Sequence, residues 1–336
     1  MNIIVAILVF GLIIFVHELG HFMLAKRAGV TIHEFSIGMG PQIFSRESQG
    51  IKYSLRMIPI GGYVAMEGED DDSDDPNSFG KKSLKERFLT IFAGPFVNIV
   101  FCIILLVPVF FFIGAPTTRF GQVIDKSPAA LAGLQKDDTI LSINGEETKE
   151  FNDISKLVNK YGKEDLTIKY KRKNQVNTVK LRAQNQACRY IVGIQPAYEK
   201  NQPMKAVKQA FVVTYDTSKT MLSFLWKLVT GQLYGKAADA LSGPVGVVKM
   251  VSNAATTGII NVIYLTAIIS LNIGLMNLLP IPALDGWRIL MLIIEAIRGG
   301  KKFPAKVEGY INAIGLFVIL GLMLFVTYKD IIRLLT

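Results

Sequence analysis

Cysteine, histidine and charge are all scarce in this chain, and each shortage removes a class of explanation. Only two cysteines occur among 336 residues, Cys102 in an apolar run and Cys188 in a polar, strand-like segment far from it. Two isolated thiols build neither a disulfide framework nor a cysteine metal pair. Charged residues make up 19% of the chain, below the ~25% of a soluble globular protein. Half of the residues are hydrophobic and the mean hydropathy is positive, so a membrane protein is expected. The net charge of +10 comes with no nucleic-acid-binding motif. Its lysines and arginines are scattered between apolar runs and are read as loop and membrane-surface charge.

What is abundant is apolar sequence in blocks of spanning length. A helix needs about 20 apolar residues to cross a bilayer, and residues 3–25, 88–115, 258–281 and 309–328 meet that requirement. Residues 289–297 are too short and either continue the third block or open a loop. Residues 204–233 carry Lys205, Lys208, Asp216, Lys219 and Lys227 at intervals, the pattern of an amphipathic helix on the membrane surface. The first block has no lysine or arginine before it and is expected to stay attached rather than to be cleaved as a signal peptide. Lys26, Arg27, Lys81, Lys82, Lys85, Arg87, Arg298, Lys301, Lys302 and Lys306 flank the blocks so that both termini fall outside the cytoplasm. Lys329 and Arg333 pull weakly the other way.

The expected fold class is a polytopic α-helical membrane protein of four transmembrane helices, with an inserted α+β domain and a membrane-associated β-hairpin. A first transmembrane helix (1–30) leads to a cytoplasmic-side hairpin region with an acidic loop (31–87) and a second helix (88–115). An extracytoplasmic domain (116–198) and an amphipathic, interfacial region (199–255) follow. A third helix (256–297), a cytoplasmic loop (298–308) and a fourth helix (309–336) complete the chain. Residues 51–66 read as the hairpin, turning at Gly61-Gly62, and residues 67–75 as a solvated acidic loop. In the inserted domain, residues 120–125, 139–144, 166–170 and 176–181 read as strands, residues 151–159 as a helix, and Asn144-Gly145 as a turn.

The chemistry sits inside the apolar blocks. His17-Glu18-Leu19-Gly20-His21 places two imidazoles four residues apart, on one face of a helix. Zinc takes such nitrogen ligands and in catalytic sites keeps a position for water, beside which Glu18 stands as general base. Keeping these groups in an apolar helix costs on the order of 2.5–3.5 kcal/mol for a central charge, which favours a site over a packed polar cluster. Asp285, after Asn277-Leu278-Leu279-Pro280-Ile281-Pro282-Ala283-Leu284, is the candidate third ligand because the prolines break the helix before it. Glu295 is the rival ligand. The Asn277 amide is suited to substrate backbone or a developing oxyanion, or equally to a helix–helix hydrogen bond, and Asn272 is a weaker version of the same idea. His33 reads as an ordinary polar residue.

These residues, in this order, resemble the site-2 proteases, in particular the bacterial regulator-of-sigma-factor type with a single PDZ domain. Four landmarks carry the resemblance: the histidine motif; Ile58-Pro59-Ile60-Gly61-Gly62-Tyr63-Val64; Phe92-Ala93-Gly94-Pro95 with Asn98; and Asn277 through Gly286. Within the inserted domain, Ser127-Pro128-Ala129-Ala130, Ala132-Gly133-Leu134 and Ile143-Asn144-Gly145 follow the succession of a PDZ domain. The resemblance implies a zinc-dependent intramembrane endopeptidase of the bacterial plasma membrane, with its site near the cytoplasmic side. It further implies His17, His21 and Asp285 as zinc ligands and Glu18 as base. Asn277, Gly61, Gly62 and Tyr63 would meet the substrate, and the Gly61-Gly62 strand is suited to pairing with an unwound chain. Substrates would be single-span membrane proteins such as anti-sigma factors, or signal-peptide remnants. Trp287 and Arg288 stand where the family commonly has glycine and histidine, so packing beside the metal departs from the family pattern. Leu241-Ser242-Gly243-Pro244-Val245-Gly246 also resembles the family but suggests no chemistry. Two other classes compete: a non-catalytic PDZ scaffold for membrane clients, and a metal or proton transporter, which the absence of a sequence repeat disfavours.

Overall fold

The computed structural model describes residues 2–69, 73–186, 189–232, 243–301 and 305–335. The chain divides into two compact units, one of residues 1–106 with 210–336 and one of residues 107–209. Among the described residues, four helices are long and apolar enough to cross a membrane: Ile3–Arg27, Leu84–Ile113, Ile259–Asn277 and Glu308–Ile332. The protein is a multi-pass membrane protein.

The first unit starts with α1 (Asn2–Arg27), whose last turn carries Lys26 and Arg27 against the negative helix end. Gly29 adopts a positive φ of 67°, and Val30 N–H donates to the Ala25 carbonyl, closing the helix as a glycine C-cap does. Helix α2 (Leu84–Ile113) contains Gly94, Pro95 and Asn98. It meets α1 at small residues: a Cβ on Gly20 would fall 2.6 Å from the Ala93 carbonyl oxygen.

Between these helices β1 (Ile32–Ser48) and β2 (Ile51–Met66) pair antiparallel through the turn at Gln49 and Gly50. This corrects the sequence reading, which had no β1 and placed a hairpin turn at Gly61-Gly62. Residues 51–66 form one long strand instead. The glycines serve as a bend: Ile37 pairs with Gly62 on one side and Leu55 on the other, and Gly61 has φ 82°. The acidic run after β2 was expected to be solvated, yet its described residues are tied down. Glu67 accepts from Ser73 and pairs with His33 at 2.6 Å, and Asp75 accepts from Thr31 at 2.8 Å.

Residues 256–297, expected as the third span with a break at its prolines, form two helices. Helix α7 (Ile259–Asn277) stops, and α8 (Asp285–Ile297) starts afresh. Pro280 and Pro282 have no N–H to continue the ladder. Ala283 sits at φ 74°, a conformation uncommon for a residue with a Cβ. Gly286 is required next to it, since a Cβ there would lie 2.3 Å from the Leu279 carbonyl oxygen. Helices α5 (Pro203–Val229) and α6 (Pro244–Thr257) lie in and just beyond the stretch expected at the membrane interface, and α9 (Ala305–Leu335) is the last helix.

The second unit holds β3 (Ala115–Val123), α3 (Pro128–Leu131), β4 (Thr139–Ile143), β5 (Glu146–Glu147), α4 (Phe151–Tyr161), β6 (Asp165–Arg172), β7 (Gln175–Arg182), β8 (Gln184–Gln186), β9 (Arg189–Ile191) and β10 (Ile194–Glu199). The order β10-β3-β4-β6-β7, with β5 on β4, forms one sheet, and β8 pairs β9. Phe120, Ile140, Ile143, Ile154, Leu166 and Ile168 fill its core at 0–2% exposure. Cys188 lies outside the described residues.

Candidate metal centre

The HExxH turn lies in the lower half of α1, where His17 and His21 are each 9% exposed. Helical spacing brings their Nε2 atoms to 3.3 Å from each other. Asp285, first residue of α8, points its Oδ2 at both, 3.1 Å from His17 Nε2 and 3.4 Å from His21 Nε2. Two segments 264 positions apart or more in sequence thus converge on one point. The expected pairing of the motif with Asp285 is the cluster the structure contains.

Whether this group suits zinc can be tested on the distances. Four ligands ~2.0–2.1 Å from a tetrahedral zinc stand about 3.3 Å from one another, and the three sides here are 3.1, 3.3 and 3.4 Å. The Asp285 oxygen is buried and accepts no aligned hydrogen bond among the described residues. Asp285 Oδ2 therefore faces both rings without an aligned hydrogen bond to either, and the three atoms crowd around a shared centre, as ligands of one cation do. A His-His-Asp cluster consistent with a zinc site is present.

Helix α2 supports both rings. The Thr90 carbonyl lies 2.9 Å from His21 Nδ1, which places the ring proton there and leaves Nε2 a lone pair. The Asn98 amide lies 3.3 Å from His17 Nδ1. Gly94, between them, leaves the space that the His21 ring occupies: a Cβ would fall 2.2 Å from Nε2. Thr90, Gly94 and Asn98 are four residues apart, one stripe on the helix.

A cleft of about 550 Å³ opens over the cluster, lined by Glu18, Gly62, Tyr63, Glu69, Asp285 and Arg288 among others. Gly62 touches Glu18 directly: a Cβ would meet its Cγ at 2.9 Å. The Tyr63 hydroxyl accepts from Arg56 Nη2 at 2.6 Å, and Arg56 also donates to Glu34 Oε1 at 2.8 Å. Burial, with the Glu34 carboxylate beside it, pushes the Tyr63 hydroxyl above its ordinary value. Of the other expected residues, Gly61 lies outside the lining and against Met39, and Asn277 ends α7 half-buried and also outside it. Glu295 is no ligand. It is paired with Arg87 Nη2 at 2.5 Å, both side chains under 10% exposed. Arg288 pairs with Glu69 across the cleft, a contact that sequence gave no sign of.

Peptidase family M50 matches residues 5–322 of the chain. The chain belongs to peptidase family M50. It is 32% identical over 420 aligned positions to the "Regulator of sigma-W protease RasP" of Bacillus subtilis, covering 99% of each chain. It is 36% identical over 334 positions to a Clostridium acetobutylicum protein, covering 98% of this chain and 97% of the relative. A Clostridium perfringens protein is likewise 36% identical over 334 positions, with 99% of each covered. Both bear the name "Putative zinc metalloprotease". M50 enzymes are zinc metalloproteases of the site-2 type, and the His-His-Asp cluster of this chain agrees with that membership.

Proposed function

We propose that this protein is a zinc-dependent endopeptidase that cuts single-span membrane proteins within the bilayer. The observation carrying the proposal is the near-equilateral triangle of His17, His21 and Asp285, with Glu18 in the same cleft. Zinc held by these three residues would supply a polarised water and a Lewis-acidic contact for the scissile carbonyl. Glu18 accepts the proton of that water and returns it to the leaving amine, and general base–acid transfer of this kind contributes typically 10²–10⁴-fold.

A helical peptide bond is shielded by its own hydrogen bonds, so the substrate has to be extended before attack. The Gly62-Tyr63-Val64 stretch lines the cleft, and its backbone is suited to pairing with an extended chain. Gly61, which precedes that stretch, and Asn277 are the other residues we propose to meet the substrate, although both stand outside the cleft lining. The second unit acts as an extracytoplasmic PDZ-like screen; its antiparallel sheet with helix α4 and its Ser127-Pro128-Ala129-Ala130 run support that reading. The basic residues flanking the spans favour a site on the cytoplasmic side. The Bacillus relative is named as a regulator of sigma-W protease; in line with that, anti-sigma-type membrane proteins are the clients of this reading, with signal-peptide remnants as a second source.

Purified protein in detergent, incubated with a model single-span substrate, tests the reading. Cleavage is expected to need zinc and to disappear in Glu18→Gln while zinc stays bound. Undiminished cleavage by Glu18→Gln, or client binding without any cleavage by the wild type, overturns it in favour of other chemistry or of a scaffold.

A further inference from the structure

The α2 asparagine beside the first histidine does more than fill space. Asn98 is completely buried, in a span where a polar side chain without a partner is costly. Its position is fixed from behind: Ser270 Oγ donates to its backbone carbonyl at 3.0 Å, and a Cβ on Gly274 would press against its own Cβ at 3.1 Å. The side chain is therefore held against His17 rather than free to seek water.

The orientation of the amide decides what this contact does. With Nδ2 toward His17 Nδ1, at 3.3 Å, the amide donates, and the buried Oδ1 is left without a partner among the described residues. Donation to Nδ1 would put the ring proton on Nε2, which is the atom 3.1 Å from Asp285 Oδ2. A proton there occupies the centre that the three ligand atoms share. The nitrogen and oxygen of an amide differ by a half-turn that heavy-atom positions hardly distinguish. The opposite orientation turns Oδ1 to Nδ1, where it accepts the ring proton and frees the Nε2 lone pair. His21 already has this arrangement through the Thr90 carbonyl.

We propose that Asn98 is a positioning residue whose side-chain oxygen accepts the His17 Nδ1 proton and so presents Nε2 to the metal. The inference rests on the zinc reading of the site. Helix α2 then orients both histidines from one stripe, a backbone oxygen for one ring and a side-chain oxygen for the other. Acceptors behind metal-bound histidines typically hold 10–100-fold in affinity.

The test is zinc affinity of chelator-stripped protein in detergent, read by competition with a chromophoric chelator, for wild type, Asn98→Asp, Asn98→Leu and His17→Ala. Asn98→Asp offers only oxygens and is expected to bind zinc within about threefold of wild type. Asn98→Leu matches the size, offers no acceptor, and is expected to lose about 10–100-fold. Cobalt absorption of Asn98→Asp should match wild type, reporting an unchanged ligand set. Loss of zinc by Asn98→Asp would show that donation from the amide is the working contact and overturns the proposal. So does Asn98→Leu binding zinc as wild type does, provided His17→Ala does not. Wild type that binds no zinc sinks the metal reading itself, and this inference with it. Thermal unfolding of the metal-free variants separates a fold defect from a site defect, and should Asn98→Leu fail to fold, Asn98→Asp alone decides.

Discussion

A methyl group at Gly62 would arrive 2.9 Å from Cγ of Glu18 and 2.8 Å from the Ser36 carbonyl oxygen. The strand cannot retreat from a backbone oxygen, so the Glu18 side chain has to move. Gly62→Ala is therefore expected to lower kcat on the order of 10²-fold, the usual effect of displacing a reacting group by about 1 Å. Zinc content, measured by metal analysis, should stay at the wild-type level because the ligands lie elsewhere. Gly94→Ala should do the reverse: its methyl would sit in the His21 ring, so zinc is lost first. At this scale much of the site was legible. Two histidines one turn apart advertise themselves, and an aspartate after two helix-breaking prolines is hard to place otherwise. Position in the sequence favoured Asp285 over Glu295, but the contact that occupies Glu295 was not legible, because its partner Arg87 lies 208 residues away. Thr90 was illegible in principle, since it contributes a backbone oxygen that every residue type carries.

Elements bring those groups together, and two charge contacts between them can be tested. Arg87 on α2 and Glu295 on α8 form a buried pair that ties the aspartate's helix to the helix backing the histidines. Removing one partner leaves a buried charge, at a cost of about 3–5 kcal/mol, whereas replacing both with apolar residues is often neutral. Glu295→Leu should thus lower the unfolding midpoint in detergent, and the Arg87→Met/Glu295→Leu double variant should recover most of it. A double variant as unstable as the single one would mean that the pair acts through something other than its charge. The second contact is the Glu34–Arg56–Tyr63 group behind the cleft strand. Burial raises the Glu34 carboxyl, but hydrogen bonds from Ser54, Arg56 and Tyr63 outweigh it and hold it at about 2, below the ordinary 4.5. A carboxyl depressed by folding stabilises the fold above its unfolded value and loses that effect as pH falls through the folded one. Amide protection in β1 and β2, taken relative to the intrinsic exchange rate at each pH, should hold down to about pH 4.5 and fall from there toward pH 2. Strand β1 itself escaped the sequence reading. Its residues are apolar on both faces only in part, and its two glycines, Gly38 and Gly40 at φ 85° and 82°, mimic the punctuation of a loop.

The whole molecule combines a membrane-embedded unit with a sheet module, and the two have separate cores. Phe120, Ile140, Ile143, Leu166 and Ile168 cluster in residues 107–209, whereas Ile13, Val251 and Ile269 belong to a cluster of the first unit. Sequence made that division readable: long apolar blocks give way to short strands with turn signals, and those two patterns are hard to confuse. The break between α7 and α8 was readable at Pro280 and Pro282, but the reversal through Ala283 at positive φ was not, because both sides are apolar. Separate cores predict separate responses to damage. Ile168→Ala removes a fully buried side chain from the sheet module and should cost about 2–5 kcal/mol there. Amide exchange should quicken across β3, β4, β6 and β7 together, since they share one core. Zinc affinity, set by His17, His21 and Asp285 in the other unit, should not change. If the module filters clients, the same variant should also admit substrates that wild type refuses, with the rate on an already accepted substrate unaltered. A fall in zinc affinity in Ile168→Ala would instead mean that the two units unfold as one.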